Sequence, residues 1–434
     1  MKYNSLNCNS STVGFLKAVR KGLAPDRGLY FPETIPLLSQ NFIENIPNLS
    51  NHELAFNAIQ PFIGKDIPKE RLKSIIEDTL NFDFPIIPIT NSIASLELFC
   101  GPTLAFKDVG ARFMARCLAY ANEVKEKQNL TILVATSGDT GGAVADGFFK
   151  VEGIDVVILY PKGKVSEVQE KQLTTLGENI TALEVDGTFD DCQNMVKSAF
   201  IDPEITENVE LTSANSINIA RWLAQMFYYF IAYKNRPNPN KDLIISVPSG
   251  NFGNLCAGLV AFKMGLPIKH FIASTNINDT VPKFLYSGSY EPKKSVSTIS
   301  NAMDVGDPSN FIRIQKLFNN DFHKMKKVIS GYAYTDPQTR KAMREIYSES
   351  KYIPDPHGAV SYLGLKAYLD QLGDEATQGI FFETAHPVKF APTVEATLKI
   401  KLDPPKQVEK ILHKTKLSIP INDYKSLKNF FLDS

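Results

Sequence analysis

The feature that most constrains the fold is a repeated strand, glycine turn and helix. Residues 130–135 and 243–247 are apolar, β-branched runs, which is typical of strands buried on both faces of a sheet. Each run leads into a glycine-containing turn, at 136–142 and at 248–254, and then into a helical pattern. Further strands are predicted at 154–160, 180–185, 268–273 and 379–383, with helices between them. Strands that alternate with helices predict an α/β fold with parallel sheets and right-handed crossovers.

The two glycine turns are candidate anion sites. Each turn places backbone N–H groups at the start of a helix, where a negative group is favoured. Glycine also lets the backbone approach a phosphate closely. The ordinary alternative, for either turn alone, is that glycine merely ends a strand.

A third feature is Lys107, which follows the strand pattern of Leu96, Leu98 and Cys100 and opens a new helical pattern. It lies between Phe106 and Asp108. An amine desolvated on such a turn loses basicity and becomes a nucleophile at neutral pH, as a Schiff-base lysine requires. A solvated surface lysine is the alternative interpretation.

The motifs that the chain lacks narrow the chemistry. It has no G-x-G-x-x-G turn, no Walker loop, no H-E-x-x-H metal motif and no G-x-S-x-G nucleophile elbow. The sequence therefore gives little support to a nicotinamide dehydrogenase, a P-loop enzyme, a zinc protease or a serine hydrolase. A reactive lysine combined with two anion cradles is what an enzyme using pyridoxal phosphate (PLP) needs, with the second cradle free for an anionic substrate.

Composition indicates where such an enzyme would work. The 434 residues suffice for about three domains, and 47 basic residues balance 47 acidic ones, so nothing points to nucleic acid or an anionic membrane. The five cysteines form no C-x-x-C pair, which fits reduced thiols. We find no signal-peptide pattern and no apolar run long enough to cross a membrane, and we expect a soluble cytoplasmic protein.

Eight motifs, which together extend over nearly the whole chain, resemble those of the threonine synthase family and occur in its order. They are KGLAPDRGLY (21–30), GPTLAFKD (101–108), ATSGDTG (135–141), SINIAR (216–221), PSGNFGN (248–254), AMDVGDPSN (302–310), DPHGA (355–359) and ETAHP (383–387). Arg27 departs from the family's more usual glycine, in a segment without a catalytic role. Any one motif is weakly specific, whereas the ordered set is strongly so.

The resemblance implies a fold-type II PLP lyase, similar to the tryptophan synthase β subunit. It would convert O-phospho-L-homoserine and water to L-threonine and phosphate, the last step of threonine biosynthesis. Lys107 would form the internal aldimine and carry protons, while Thr384 would hydrogen-bond the pyridine nitrogen. The cofactor phosphate would be held by Gly250, Asn251, Phe252, Gly253 and Asn254. The substrate would be bound by Ser137, Gly138, Asp139 and Thr140, with Arg112 a candidate for its phosphate.

The expected organisation is an N-terminal α/β leader at 1–90, a PLP-binding domain at 91–111 and 216–434, and a smaller mobile domain at 112–215 that closes over the substrate. The basic tail from 406 to 416 and onward is predicted to be an amphipathic helix. The protein would be a monomer or a homodimer. A threonine or serine dehydratase of the same fold type, and a non-catalytic phospholigand-binding protein, remain as alternatives.

Overall fold

The computed structural model describes residues 1–124 and 129–433. The strands, in chain order, are β1 (Tyr3–Ser5), β2 (Tyr30–Pro32), β3 (Ile86–Pro88), β4 (Ile93–Glu97), β5 (Leu130–Ala135), β6 (Ile154–Pro161), β7 (Ile180–Val185), β8 (Leu211–Thr212), β9 (Asp242–Pro248), β10 (His270–Thr275), β11 (Ile329–Ala333), β12 (Thr377–Glu383) and β13 (Ile419–Ile421).

The α-helices, in chain order, are α1 (Phe15–Lys21), α2 (Gln40–Asn45), α3 (Asn51–Ile63), α4 (Lys69–Thr79), α5 (Lys107–Val124), α6 (Asp139–Phe148), α7 (Glu167–Thr174), α8 (Phe189–Ala199), α9 (Pro203–Thr206), α10 (Ile219–Leu223), α11 (Phe227–Lys234), α12 (Gly253–Lys263), α13 (Thr280–Ser287), α14 (Phe311–Leu317), α15 (Phe322–Lys326), α16 (Asp336–Ser350), α17 (Pro356–Leu372), α18 (Ala391–Leu398), α19 (Lys406–Leu412) and α20 (Tyr424–Leu432). Short 3-10 turns lie at Ile46–Asn48, Ala224–Met226, Asn301–Met303 and Pro387–Phe390.

Two parallel sheets organise these elements. The larger sheet has the order β11–β10–β9–β12–β4–β3, and only the β3–β4 pair is antiparallel. The smaller sheet has the order β13–β7–β6–β5–β8 and is parallel throughout. Every residue of β5, β10 and β12 is buried, as expected for parallel strands covered by helices on both faces. The predicted α/β class with parallel sheets is confirmed.

The main apolar core runs from the N-terminal segment to the facing sides of both sheets and includes Trp222, the largest fully buried side chain. Separate clusters cover the other face of each sheet, where α16, α17 and α18 pack on the larger sheet, and α8 and α20 pack on the smaller one. Both sheets are thus held firmly on two sides. The loops that follow the carboxyl ends of the strands are therefore the parts of the sheets available to form a site.

The predicted limits of the domains differ from the sheets at two places. The predicted limit at 111–112 falls inside α5. The tail is predicted to be a continuing helix, but α19 ends at Leu412, and the chain then forms β13, which belongs to the smaller sheet. The short run that forms β13 carries too few apolar positions to show a strand period, so the pattern did not reveal it. The division into three units stays a prediction. Among the described residues, no helix is long and apolar enough to cross a membrane.

Candidate active site

One cleft lies where the carboxyl ends of β4, β9 and β12 meet the end of β5 from the smaller sheet. Parallel strands present their following loops at one edge, so loops far apart in the chain converge there. Its walls are formed by Phe106, Lys107, Ala135, Thr136, Ser137, Thr140, Phe189, Gln193, Asn215, Ser216, Arg221, Gln225, Pro248, Gly250, Asn251, Phe252, Gly253, Asn254, Asn301, Ala302, Met303, Asp304, Val305, His357 and Thr384. The structure therefore brings both predicted anion turns and the predicted reactive lysine to one place.

Lys107 reaches the cleft because two segments pair beyond the sheet. The N–H of Phe106 donates to the carbonyl of Thr384 at 2.9 Å, and the N–H of His386 donates to the carbonyl of Leu104 at 3.1 Å. These bonds fix the turn after β4 against the turn after β12. Lys107 and Thr384 consequently lie on the same wall.

The environment of Lys107 favours the neutral amine. Burial is the main cause that lowers its pKa, to about 8; Asp139 opposes this, and the positive charges of Lys389 and Arg221 act with it. The ammonium nitrogen lies 5.8 Å from the ring centroid of Phe106. A side chain that keeps partial access to the cleft and loses its proton near neutral pH is suited to attack an aldehyde.

The turn after β9 forms a cradle in the same cleft as Lys107. Phe252 has a left-handed backbone (φ 61°) and leads into α12, whose first N–H groups have no carbonyl one turn earlier to bond to. A Cβ added to Gly250 would lie 2.5 Å from the carbonyl oxygen of Ala302 and 3.0 Å from the Cα of Met303. The backbone of Gly250 thus packs directly against the backbone of Ala302 and Met303, and only glycine leaves room for this contact.

Asn251 connects this cradle to the loop that precedes α14. Its side-chain oxygen accepts from the N–H of Ser309 at 3.1 Å, and its carbonyl accepts from the N–H of Asn310 at 3.2 Å. The side chain of Asn254 donates to the carbonyl of Pro248 at 2.9 Å. The amide side chains therefore hold the cradle's shape, which leaves backbone N–H groups as the donors to a bound phosphate.

The turn after β5 is also tightly folded. The hydroxyl of Thr136 accepts from the N–H groups of Gly138, at 3.0 Å, and Gly141, at 2.8 Å. Gly138 has a φ of 134°, and a Cβ there would lie 2.3 Å from Gln169. Ser137 and Thr140 face the cleft, as the predicted substrate cradle requires.

Three predicted substrate residues, Gly138, Asp139 and Arg112, are not among those that line the cleft. Asp139 instead pairs with the Lys389 ammonium at 2.8 Å; burial alone would raise the pKa of this carboxyl, but Lys389, Lys107 and hydrogen bonds hold it below its usual value. Arg112 lies 3.4 Å from the carboxylate of Asp78 and 3.8 Å from that of Asp146. Their charges are already paired, so neither side chain is available to a substrate in this structure.

Sequence reasoning assigned no role to Arg221, although its motif was recognised. Arg221 lies in the cleft wall; its Nη1 donates to the carbonyl of Ala214 at 2.6 Å, and its buried Nε has no hydrogen-bond partner among the described residues. Burial lowers the pKa of Arg221 to about 10, so it stays charged at neutral pH. The position of this residue on a helix start, three residues after the cap Asn218, was the available signal.

The buried side chain of His357 connects the cleft wall at Ala302 to the buried carboxyl group of Asp355. His357 Nδ1 lies 2.9 Å from Asp355 Oδ1, and His357 Nε2 accepts from the N–H of Ala302 at 3.2 Å, which assigns the proton to Nδ1. Burial, together with the charges of Asp355 and Glu97, raises the pKa of Glu383 well above its usual value. Glu383 therefore ionises less readily than an exposed glutamate.

These features fit PLP. One cleft is lined by an amine of lowered basicity, that of Lys107, by a glycine cradle at a helix start and by Thr384, which carries a hydroxyl. PLP carries an aldehyde, a phosphate and a pyridine nitrogen, which match these three groups in kind.

Known proteins match this chain along its full length. A family model described as "Pyridoxal-phosphate dependent enzyme" matches residues 94–382, while "Threonine synthase N terminus" matches 2–80 and "Threonine synthase, C-terminal" matches 359–430. A threonine synthase of Buchnera aphidicola subsp. Baizongia pistaciae is 45% identical and covers 100% of both chains.

Solved structures agree. The crystal structure of threonine synthase from Escherichia coli superposes with a TM-score of 0.92 at 43% identity over 100% of both chains. The PLP-bound threonine synthase from Brucella melitensis gives 0.92 at 32% identity, covering 99% of this chain and 98% of that one. The predicted fold type and cofactor are confirmed.

Proposed function

This chain belongs to the threonine synthase family of PLP-dependent enzymes, and from that premise we propose that it converts O-phospho-L-homoserine and water to L-threonine and phosphate. The observation that carries the proposal is that Lys107 and the glycine cradle of 250–254 line the same cleft. We further propose that it does so in the cytoplasm, as a monomer or homodimer, without nucleic acid or membrane.

Each wall of the cleft has a part in holding the cofactor. Lys107 would bind PLP covalently, the N–H groups of 250–254 would bind its phosphate, and the hydroxyl of Thr384 would meet its pyridine nitrogen. When bound, PLP supplies an electron sink for charge that develops on the substrate carbons. A hydroxyl at the ring nitrogen cannot hold a full positive charge there as an aspartate would, so Thr384 keeps that sink moderate.

The substrate has two anionic ends, and the cleft offers two places for them. Ser137, Gly138 and Thr140, at the start of α6, would bind the α-carboxylate. Among the described residues that line the cleft, Lys107 and Arg221 have cationic side chains. The Nε of Arg221, which has no partner among those residues, would donate to the substrate phosphate. Asp139 and Arg112 have no direct role in this proposal, since their charges are paired elsewhere.

Proton movement is assigned to Lys107. The reaction removes protons from Cα and Cβ before phosphate leaves Cγ, and water then adds at Cβ. An amine with a pKa of about 8 accepts and returns protons efficiently near neutral pH. Water must not reach the substrate before phosphate has left. We propose that the unit at 112–215 closes over the substrate to exclude it.

Product analysis tests the proposal. The protein, loaded with PLP and given O-phospho-L-homoserine, is expected to release L-threonine and phosphate in equal amounts, while the Lys107→Ala variant is expected to release neither. The Lys150→Ala variant removes an exposed lysine and is a control that should behave as wild type. Release of 2-oxobutanoate from L-threonine, without synthesis of threonine, would identify a dehydratase instead. PLP binding with no turnover of either substrate would indicate a phospholigand-binding protein.

A further inference from the structure

A buried ion pair links the two sheets beside the cleft. Lys389, in the 3-10 turn that follows β12, lies 2.8 Å from Asp139, the first residue of α6. Both side chains are shielded from solvent, with 0% and 5% exposed. The pair therefore joins the turn after β5 to the turn after β12, both of which border the site.

The same lysine also reaches the turn that carries the reactive amine. Its ammonium donates to the carbonyl of Thr103 at 2.8 Å, and Gln172 donates to the same carbonyl at 2.9 Å. Gln169 donates to Asp139 at 2.9 Å, so the carboxylate and the ammonium each have more than one partner. An isolated buried ion pair adds little to stability compared with apolar packing. The position of this one, rather than its contribution to stability, calls for an explanation.

That position brings two opposite charges to the turn that carries Lys107, because Lys389 bonds both Asp139 and the carbonyl of Thr103. The charged groups that act on its amine are Asp139, which favours the protonated form, and Lys389 and Arg221, which favour the free amine. Asp139 could therefore serve as the counter-ion of either lysine. Asp108, the residue after Lys107, accepts instead from the N–H of Thr103 at 2.9 Å, and burial raises its pKa to about 7. Because Lys389 already pairs with Asp139, Lys107 has no ion-pair partner among the described residues.

We propose that Lys389 is a positioning residue that neutralises Asp139 and so keeps Lys107 a free, nucleophilic amine. This inference rests on the proposed function, in which Lys107 is the amine that takes PLP and moves protons. A further consequence is that Asp139, within the turn proposed to bind the substrate, carries a paired rather than a free negative charge. The ion pair between Lys389 and Asp139 would thus set the basicity of the neighbouring Lys107.

The proposal predicts opposite effects for the two halves of the pair. Without Lys389, the Asp139 carboxylate would attract a proton to Lys107, and the pH of half-maximal reactivity should rise by about one unit. Below that pH, the reaction would then be about tenfold slower. Without the Asp139 charge, Lys389 and Arg221 would act unopposed, and the midpoint should fall. General damage to the fold would not move the midpoint in two directions.

The test measures reaction of the full-length protein with PLP after the cofactor has been removed. The rate at which the visible absorbance appears is recorded from pH 6.5 to 10, and borohydride reduction followed by peptide mass analysis identifies Lys107 as the modified residue. Wild type is expected to show a midpoint at a pH of about 8. The Lys389→Met variant should shift it upward and the Asp139→Asn variant downward. The Lys401→Met variant, which loses an exposed lysine that pairs with Glu395, should not shift it.

The results separate the inference from its premise. A Lys389→Met midpoint at or below that of wild type would overturn the role of Lys389. If this variant fails to fold, because it leaves a buried carboxylate without a partner, the double variant Asp139→Asn/Lys389→Met decides: a midpoint above that of Asp139→Asn alone supports the role of Lys389, and an equal midpoint overturns it. A wild-type protein that never reacts with PLP would instead refute the proposed function.

Discussion

Replacing Gly250 with alanine is the sharpest test of the cradle. The added methyl carbon would lie 2.5 Å from the carbonyl oxygen of Ala302 and 3.0 Å from the Cα of Met303, whereas ordinary contacts begin near 3.4 Å. Both neighbours are backbone atoms, so no side chain can rotate out of the way. Either the cradle or the loop 301–305 must move by several tenths of an ångström or more.

The size of the effect follows from the cost of overpacking. Forcing an extra methyl group into a closed site costs about 1–3 kcal/mol. If the cradle itself yields, its N–H groups no longer point at the phosphate, and PLP affinity should fall by about 5- to 150-fold. If the loop yields instead, the contact from Ala302 to His357 is lost, and the same wall is loosened.

The assay is a PLP titration followed by visible absorbance, with thermal unfolding measured in parallel. The Gly163→Ala variant is the matched control, because Gly163 has a φ of 65° but no atom within 4 Å of the added carbon. It should lose about 1 kcal/mol of stability through backbone strain and keep its PLP affinity. Wild-type affinity in the Gly250→Ala variant, or an equal loss in both variants, would refute the assignment of the cradle.

Two further predictions concern charges near the cleft. The Arg221→Met variant should keep its PLP spectrum but lose about 10- to 150-fold in kcat/KM for O-phospho-L-homoserine, since it loses charged hydrogen bonds worth about 1.5–3 kcal/mol. The control variant Arg344→Met, which changes an exposed arginine, should keep the wild-type kcat/KM. Equal losses in both variants would contradict the role of Arg221. Burial raises the pKa of Glu383 in the folded protein well above the value of about 4.3 expected in the unfolded chain, so the stability it contributes declines as the pH rises between these two values. The free energy of unfolding of Glu383→Gln relative to wild type should therefore increase as the pH rises above about 4.3, by about 1.4 kcal/mol per pH unit while Glu383 stays protonated in the folded state. Urea denaturation measures this difference, and a difference that does not change with pH would contradict the prediction.

The parts of the site that follow from local pattern could be predicted from the sequence. The buried runs that became β5 and β9 are unambiguous, and the turns after them are marked by glycine. Because parallel strands end at one edge, these turns could be expected to converge near Lys107. The structure places them around one cleft.

Charge pairing, in contrast, depends on contacts that no local pattern records. Asp139 lies within a recognised motif, yet its partner Lys389 is 250 positions away, so the sequence could not reveal that its charge is used. Arg112 was a plausible cation on a helix near the site, but its face of α5 points to Asp78. Arg221 was missed for the converse reason: a buried arginine without a carboxylate partner is visible only once the surrounding carbonyl groups are in place.

The central claim is that Lys107 carries PLP. The most direct measurement is borohydride reduction of the PLP-loaded protein, followed by protease digestion and mass analysis of the labelled peptide. The account predicts one pyridoxyl group per chain, on Lys107, and loss of the visible absorbance band in the Lys107→Ala variant. A label on another lysine, or a Lys107→Ala protein that keeps PLP covalently bound, would contradict it.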